Sequence, residues 1–394
     1  MQALREQFLL DPTVTFLNHG SFGATPRPVF AAYRRWQRRL ERQPVLFLGR
    51  RLPALLATVR RVLGGTLGAD PSELVLLPNA TFGVNLVARS LHLGPGDEIL
   101  TTDHEYGACD KTWRFLCLQS GATYRRRPIP LPVSSPGQLV DGLWDGVTPR
   151  TRLIFVSHIT SPTALTMPVA EICTRARAAG ILTLIDGAHA PGQLPLDLHA
   201  IDADFYVGNL HKWALAPKGA AFLYARPDRQ PLLEPLVVSW GWSEEWFANG
   251  TSYVDLLQWW GTVDPAAPLA VPAAIRFQED HDWPAVRQRC SDLATDALLR
   301  LGDLTGLDPL YPPGSAFYRQ MVAAPLPPPC DPAELQVRLY DRHRIEIPCL
   351  AWNGRPLIRL SVQGYNTEAD IDALLAALEV SLPGARPVTG GSRS

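Results

Sequence analysis

Short apolar runs alternate with helical stretches between residues 74 and 224, and this alternation most constrains the fold. Five runs rich in Leu, Ile, Val and Phe are typical of buried strands: 74–77, 98–101, 152–157, 181–185 and 220–224. Apolar residues at helical spacing lie between them, as at 81–90 and 168–179. Strands that alternate with helices form a mostly parallel sheet covered on both faces. We therefore predict an α/β fold that binds its ligand at the carboxyl ends of the strands.

Two charged residues follow neighbouring strands of this predicted sheet. Asp186 follows the run 181–185, and Lys212 ends the segment that begins with the apolar residues after Asp204. Of 37 basic side chains, only Lys111, Lys212 and Lys218 are lysines, and lysine, unlike arginine, can lose its proton and form an imine. Pyridoxal phosphate (PLP) requires a lysine for its Schiff base and an acid that keeps its ring nitrogen protonated. The pair therefore predicts PLP as the cofactor.

The composition limits the classes of function. The 394 residues are 46% hydrophobic and 19% charged, which is typical of a folded globular protein. A net charge of −1 does not favour nucleic acid or an anionic membrane as a partner, and no apolar run reaches the roughly 20 residues that cross a bilayer. No signal peptide is evident, and six scattered cysteines without a CxxC pair predict reduced thiols in a cytoplasm, with no metal site.

The pattern changes after about residue 265. Longer helical stretches and short strands follow, and we predict them at 265–280, 283–303, 316–322, 331–341, 357–361 and 367–382. This predicts a large domain at 15–265 and a smaller C-terminal α+β domain at 266–382, which residues 1–14 join. We expect the Gly-, Arg- and Ser-rich tail 383–394 to be disordered.

Several motifs in order resemble the class V aminotransferase family of fold type I PLP enzymes, and most closely its isopenicillin N epimerase-like branch. The resemblance extends from residues 16–23 to residues 359–366, which is nearly the whole chain. It implies a large domain with a mostly parallel, seven-stranded type of sheet. It also implies a homodimer whose two active sites are shared between subunits.

The resemblance assigns roles around the cofactor ring. Lys212 carries the cofactor, Asp186 binds the pyridine nitrogen and His189 lies near the phenolic oxygen. His104 is expected to stack on the ring as a catalytic residue, and Tyr106 is the alternative for that position.

A second group of residues is expected to hold the cofactor phosphate. Ala80 and Thr81 open a predicted helix after Asn79, and a helix N-terminus offers free amides and a positive dipole to an anion. By resemblance, His211 also contacts the phosphate, and Thr262 reaches the phosphate bound by the partner subunit.

The resemblance also assigns the substrate contacts. Arg359 is expected to bind the α-carboxylate through its planar guanidinium fork. Asn18 and His19 are expected to contact the substrate, and Ser161 stands beside the ring oxygen where relatives often have Asn. Cys349 follows Pro348 in a short loop, so we interpret it as a packing residue and not as a desulfurase nucleophile.

These residues suit removal of the α-proton from an amino-acid substrate by the freed Lys212 amine. We predict an epimerase or C–S lyase of the isopenicillin N epimerase-like branch. An aminotransferase and a cysteine desulfurase are the alternatives. A catalytically silent PLP-fold binding protein is the alternative from another class, although every expected site residue is present.

Overall fold

The computed structural model describes residues 2–243 and 253–382, so the predicted disordered tail 383–394 lies outside the described residues. Its strands are β1 (Thr15–Phe16), β2 (Leu74–Leu77), β3 (Glu98–Thr102), β4 (Thr123–Arg127), β5 (Thr151–Ser157), β6 (Leu182–Asp186), β7 (Phe205–Asn209), β8 (Ala221–Ala225), β9 (Met321–Pro325), β10 (Ile345–Glu346), β11 (Cys349–Trp352) and β12 (Arg355–Ser361).

The central sheet is mostly parallel, as the sequence predicts. In the described part of the chain it has seven strands in the order β2-β8-β7-β6-β5-β3-β4. The strands from β3 to β7 pair in parallel, and β8 runs antiparallel to both of its neighbours. The parallel strands β5, β6 and β7 therefore end at one edge, where their polar terminal residues lie together.

The helices of the described residues either cover the two faces of this sheet or belong to the C-terminal part. They span Gln2–Arg5, His19–Phe22, Arg27–Arg42, Pro44–Leu46, Leu52–Leu67, Ala80–Ser90, Gly107–Ser120, Pro136–Trp144, Val169–Ala178, Leu198–Ile201, Tyr253–Gln258, Ala266–Leu269, Val271–Asp280, Trp283–Thr305, Pro332–His343 and Glu368–Ser381. Successive residues of a strand pack into the hydrophobic cores on opposite faces of the sheet. In β2, for example, Leu74 and Leu76 belong to one core and Val75 and Leu77 to the other. Burial on both faces explains why these strands are apolar throughout.

A second sheet follows in the C-terminal part. It is antiparallel, in the order β11-β12-β9, and the helices Trp283–Thr305 and Pro332–His343 pack against its strands. The strand predicted near 316–322 lies at Met321–Pro325 instead, and the buried Phe317 and Tyr318 precede it in an irregular segment. The predicted domain boundary at 265/266 stays a prediction.

Three general features of the described residues bear on function. None of the helices within 2–243 and 253–382 is long and apolar enough to cross a membrane. Over the same ranges, no group of three or more His, Cys, Asp or Glu side chains is arranged to hold a metal ion. All six cysteines are free thiols.

Candidate active site

Three strand ends form the floor of a small cavity. Ser157 ends β5 beside Asp186 at the end of β6, and Asn209 ends β7. Lys212 follows in the loop after β7. The cavity has a volume of about 150 Å³ and is lined by Ser21, Phe22, Asn79, Ala80, Thr81, Tyr106, Ser157, Ile159, Ser161, Asp186, Ala188, His189, Asn209, His211 and Lys212.

The lysine, the histidine and an indole form a connected group. The Trp213 indole N–H donates to His189 Nδ1 at 3.2 Å, and His189 Nε2 lies 3.2 Å from Lys212 Nζ. Because an indole nitrogen only donates, a neutral His189 carries its proton on Nε2. Burial lowers the pKa of His189 well below its usual value, which keeps the ring neutral. His189 therefore presents an N–H to the cavity.

The amine of Lys212 is mostly protonated at pH 7, but a larger fraction of it is neutral than in an exposed lysine. Burial, with the charge of Arg359 as the next cause, lowers its pKa to about 8. A neutral amine accepts the His189 Nε2–H and is also the form that attacks a carbonyl carbon. The lowered pKa thus increases the fraction of Lys212 in the neutral form that Schiff-base chemistry needs.

Asp186 lies at the base of the cavity and is almost fully buried. Its carboxylate accepts the Ala188 N–H at 2.9 Å and the Cys109 thiol at 3.6 Å. Burial raises its pKa, the charge of Lys212 only partly offsets this rise, and no cation of the described residues forms an ion pair with it. A cationic ring nitrogen held against this carboxylate would provide the missing partner.

An anion site lies at the start of the helix Ala80–Ser90. The Asn79 side chain caps the Phe82 N–H at 2.8 Å, and Asn209 accepts the Ala80 N–H at 2.8 Å. In the described ranges, the Thr81 N–H makes no hydrogen bond to protein, and His211 Nδ1 is buried without a partner. These unused groups converge where a phosphate would gain amide donors and the helix dipole.

Arg359 is a buried guanidinium held by neutral oxygens. It donates to the Ser161 carbonyl at 2.6 Å, the Ser161 hydroxyl at 3.1 Å and the Ser21 hydroxyl at 3.1 Å. Its Nε is buried without a partner, and within residues 2–243 and 253–382 it has no carboxylate partner. Burial lowers its pKa to about 10, which shows that burying the positive charge is electrostatically unfavourable. An anion that binds here would offset this cost of burial.

The N-terminal segment is pressed against the lysine loop. A Cβ on Gly23 would lie 2.0 Å from the His211 carbonyl oxygen, and its φ of +70° also favours glycine. This close approach places Ser21 and Phe22 at the cavity. Asn18 does not line it, because its amide donates to Glu346 at 2.9 Å and its oxygen accepts the Ser21 hydroxyl at 2.5 Å. Asn18 supports Ser21 in this structure, and its expected substrate contact stays a prediction.

His19 is likewise a support and not a cavity wall. It is fully buried, its Nε2–H donates to the Lys212 carbonyl at 3.1 Å, and its Nδ1 accepts the Tyr365 hydroxyl at 2.9 Å. Burial lowers its pKa to about 3, so the ring is neutral. Its Nε2 holds the lysine loop and its Nδ1 holds Tyr365; His19 does not line the cavity, and its predicted substrate contact stays a prediction.

His104, which is predicted to stack on a bound ring, does not line the cavity, and its stacking stays a prediction. His104 is 1% exposed, donates to the Ile129 carbonyl at 2.8 Å and accepts the Thr163 hydroxyl at 2.7 Å. Its imidazole packs on Trp352, with ring centroids 4.5 Å apart. Tyr106, the alternative, lines the cavity and keeps 46% of its surface exposed. Of the two residues expected at this position, Tyr106 is thus the one that lines the cavity.

Thr262 lies outside this cavity. It is exposed and lines a separate apolar cavity of about 470 Å³, together with Trp240 and Trp259. Within one chain, therefore, Thr262 is not among the residues that surround Lys212.

The remaining residues fit PLP. The unpaired His211 nitrogen and free Thr81 amide suit its phosphate, buried Asp186 suits its ring nitrogen, and His189 offers an N–H to its phenolic oxygen. The sequence interpretation missed Asn209, although this residue ends a predicted strand. It also missed Ser21 and Phe22, whose only signal was the segment that the resemblance already quoted.

Comparisons with known proteins agree with this geometry. The family model "Aminotransferase class-V" matches residues 25–374. The isopenicillin N epimerase of Amycolatopsis lactamdurans is 42% identical over 386 residues, which cover 95% of this chain and 97% of that protein. The putative L-cysteine desulfhydrase 2 of Oryza sativa subsp. japonica is 30% identical and covers 93% of this chain and 84% of its own.

A solved structure supports the fold. The crystal structure of the cysteine desulfurase CsdA from Escherichia coli has a TM-score of 0.80, with 24% identity, and the match covers 96% of this chain and 97% of that one. Sequence motifs, cavity residues, family model and fold all agree. The chain therefore belongs to the class V aminotransferase family, in its isopenicillin N epimerase-like branch.

Proposed function

We propose that the protein is a PLP-dependent epimerase that inverts the α-carbon of an amino-acid substrate. The observation that carries this proposal is the buried guanidinium of Arg359 beside the cavity of Lys212 and Asp186, which has no carboxylate partner within residues 2–243 and 253–382. When bound, PLP supplies an aldehyde that condenses with amines and a protonated ring that accepts electrons from a breaking bond at the α-carbon.

The protein residues then have separate tasks. Arg359 binds the α-carboxylate of the substrate through the donors that no protein carboxylate occupies. Lys212, whose pKa is lowered to about 8, moves the α-proton as a general base. Asp186 holds the ring nitrogen, His189 donates to the phenolic oxygen, and a proton returned to the opposite face of the α-carbon completes the inversion.

A C–S lyase is the second candidate, because a desulfhydrase is among the relatives. It would share the proton removal and then expel a sulfur group from the β-carbon. A cysteine desulfurase is less well supported. Cys349 is buried in β11, where burial raises the pKa of its thiol to about 12, whereas a sulfur-accepting cysteine must be an accessible thiolate.

A screen in deuterium oxide separates these reactions. Isopenicillin N and a set of L-amino acids, including cysteine and cystine, would be incubated with PLP-loaded enzyme and followed by chiral separation and mass spectrometry. An epimerase should yield the inverted isomer with one deuterium at the α-carbon and no released fragment. A lyase should release sulfide or a persulfide, and a transaminase should form a keto acid in step with an amino acceptor.

The control for this screen is Cys349→Ser, which should leave the product pattern unchanged. Sulfur release from cysteine that vanishes in Cys349→Ser, while PLP stays bound, would make the desulfurase assignment correct. Bound PLP without exchange of any α-proton would instead favour a catalytically silent binding protein.

We further propose that the enzyme is a homodimer with shared sites, in a cytoplasm, without nucleic acid or membrane as a partner. The six free thiols and the balanced charge support this location and the absence of polyanionic partners. Thr262, Trp240 and Trp259 line an apolar cavity away from Lys212 of the same chain, which suits a contact with a second copy. In that dimer, Thr262 of one subunit would donate to the phosphate in the other.

Mixing two defective subunits tests the shared site. Lys212→Ala removes the amine, and Thr262→Ala should weaken PLP binding about tenfold, since a hydrogen bond to a charged group contributes about 1.5–3 kcal/mol. At limiting PLP both homodimers should be nearly inactive. A mixed dimer has one site with both changes and one with neither, so activity should return on mixing.

Unmixed subunits from the same preparations, assayed at equal total concentration, are the controls. No recovery after verified subunit exchange, or a fully active monomer in solution, would contradict the shared-site proposal.

A further inference from the structure

A second buried carboxylate lies beside the cavity and has no role in the proposed chemistry. Glu105 is 8% exposed. Its Oε2 accepts the Ser157 N–H at 2.8 Å and the Ser157 hydroxyl at 2.7 Å, and its Oε1 accepts the Thr102 hydroxyl at 2.6 Å. Within residues 2–243 and 253–382, no cation forms an ion pair with it. Three donors favour its charged form, although it has no counter-ion.

Glu105 is held next to the ring-binding acid. Ser157, which donates twice to Glu105, is the register neighbour of Asp186 at the ends of β5 and β6. Burial, with the charge of Asp186 as a further cause, raises the pKa of Glu105 to about 7. Glu105 also interacts electrostatically with two other titratable groups, the thiol of Cys109 and the phenol of Tyr124. Two acids therefore share one desolvated region under the cavity.

This arrangement has a consequence for a bound cation. A negative charge at Glu105 disfavours a second negative charge at Asp186 in the empty protein, and it stabilises a positive charge held against Asp186. The only cation that the proposed cofactor brings to this place is its protonated ring nitrogen. Glu105 would thus act through the electrostatic potential at Asp186, without contact with the ring.

We propose that Glu105 is a positioning residue whose charge, held beside Asp186 by Ser157 and Thr102, keeps the ring nitrogen of the cofactor protonated. The inference rests on the proposed PLP-dependent function and adds a residue to it. Glu105 also directly precedes Tyr106, so its hydrogen bonds secure the loop that carries the stacking candidate. A purely structural role in that loop is the alternative that the test must separate.

The test compares charge with shape at this position. Glu105→Gln keeps the size and lets its oxygen accept both Ser157 donors, while the Thr102 hydroxyl rotates to accept the new amide. Glu105→Asp keeps the charge but shortens the side chain. The readouts are the PLP dissociation constant of the cofactor-free protein and the protonation of the ring nitrogen, followed by NMR with a cofactor isotope-labelled at that nitrogen.

We expect Glu105→Gln to lower the pKa of the bound ring nitrogen by about one pH unit, as expected for loss of one neighbouring charge. PLP affinity should fall by a similar factor of about ten above pH 7. Well below pH 7, wild-type Glu105 is itself protonated and neutral, so the two proteins should converge. Glu105→Asp should stay closer to wild type than to Glu105→Gln in both readouts.

The matched control is Glu98→Gln. Glu98 is a carboxylate of the same sheet, 1% exposed, that pairs with Arg150 at 2.5 Å and has no contact with the cavity. Its substitution should lower the melting temperature without moving the ring nitrogen's pKa.

Two results would overturn the inference. One is a ring nitrogen whose pKa and pH-dependent affinity are the same in Glu105→Gln and wild type, with only the melting temperature lowered. The other is Glu105→Asp behaving like Glu105→Gln, which would show that shape and not charge matters. A wild-type protein that binds no PLP would refute the proposed function itself, and that failure is visible before any variant is compared.

Discussion

Lys212→Ala should reduce turnover by at least about a thousandfold, the range that loss of a positioned general base reaches. The same change removes the covalent attachment of PLP, so the bound cofactor should be lost on gel filtration. The physical reason is that Lys212 is the amine at the cavity, next to His189 Nε2, with a pKa lowered to about 8. Borohydride reduction of wild type followed by peptide mapping should place the pyridoxyl group on Lys212.

The matched control is Lys111→Ala, which removes an exposed lysine of the same chain and should change neither activity nor labelling. Lys218 is a second comparison, because its amine donates to the Gly23 carbonyl at 3.0 Å and not into the cavity. Pyridoxyl label on Lys111 or Lys218 would refute the assignment.

The lowered pKa of Lys212 also has a measurable effect on stability. In the cofactor-free protein the folded lysine titrates near 8, whereas an unfolded lysine titrates at 10.5. Between these values the unfolded chain binds more protons, so stability should rise with pH across this window and be depressed below it. Lys212→Ala should remove this contribution, which parallel thermal melts at several pH values would detect.

Asp186→Asn should reduce turnover about a hundredfold while PLP still binds. Asparagine can still accept the Ala188 N–H, so the change removes mainly the charge. A hydrogen bond between charged groups contributes about 1.5–3 kcal/mol, and its loss leaves the ring nitrogen unprotonated and a poor acceptor of electrons. Single-turnover kinetics with the substrate from the deuterium screen would measure this loss.

The comparison with Asp186→Ala separates charge from packing, because alanine removes both the charge and the Ala188 contact. Alanine should be at least as inactive as asparagine and should also bind PLP more weakly. Turnover near the wild-type rate in Asp186→Asn would show that this carboxylate does not hold the ring nitrogen.

The sheet edge strand β4 was not predictable from hydrophobicity. Thr123–Arg127 contains three consecutive arginines and is mostly exposed, because it pairs on one side only, with β3. Charged residues on an edge strand prevent pairing with other chains. Because β4 carries these charged residues, a search for apolar runs does not find it.

The sequence also could not indicate whether His104 or Tyr106 faces the cavity. The two residues are two positions apart in an irregular loop, so no periodicity indicates which one faces the cavity. In the structure, the imidazole of His104 contacts Ile129, Thr163 and Trp352, which are distant in sequence, and does not line the cavity.

The amino-acid sequence by itself determined the parallel sheet and the positions of Asp186 and Lys212 at its edge. Those features follow from local apolar runs and from the rule that the ends of parallel strands meet. Only the tertiary structure decided which polar residues face the cavity and which support it. Arg359 is fixed by Ser21 and Ser161, and Glu105 by Ser157, through hydrogen bonds between segments far apart in the chain. Such contacts depend on how whole elements pack, and no local pattern encodes them.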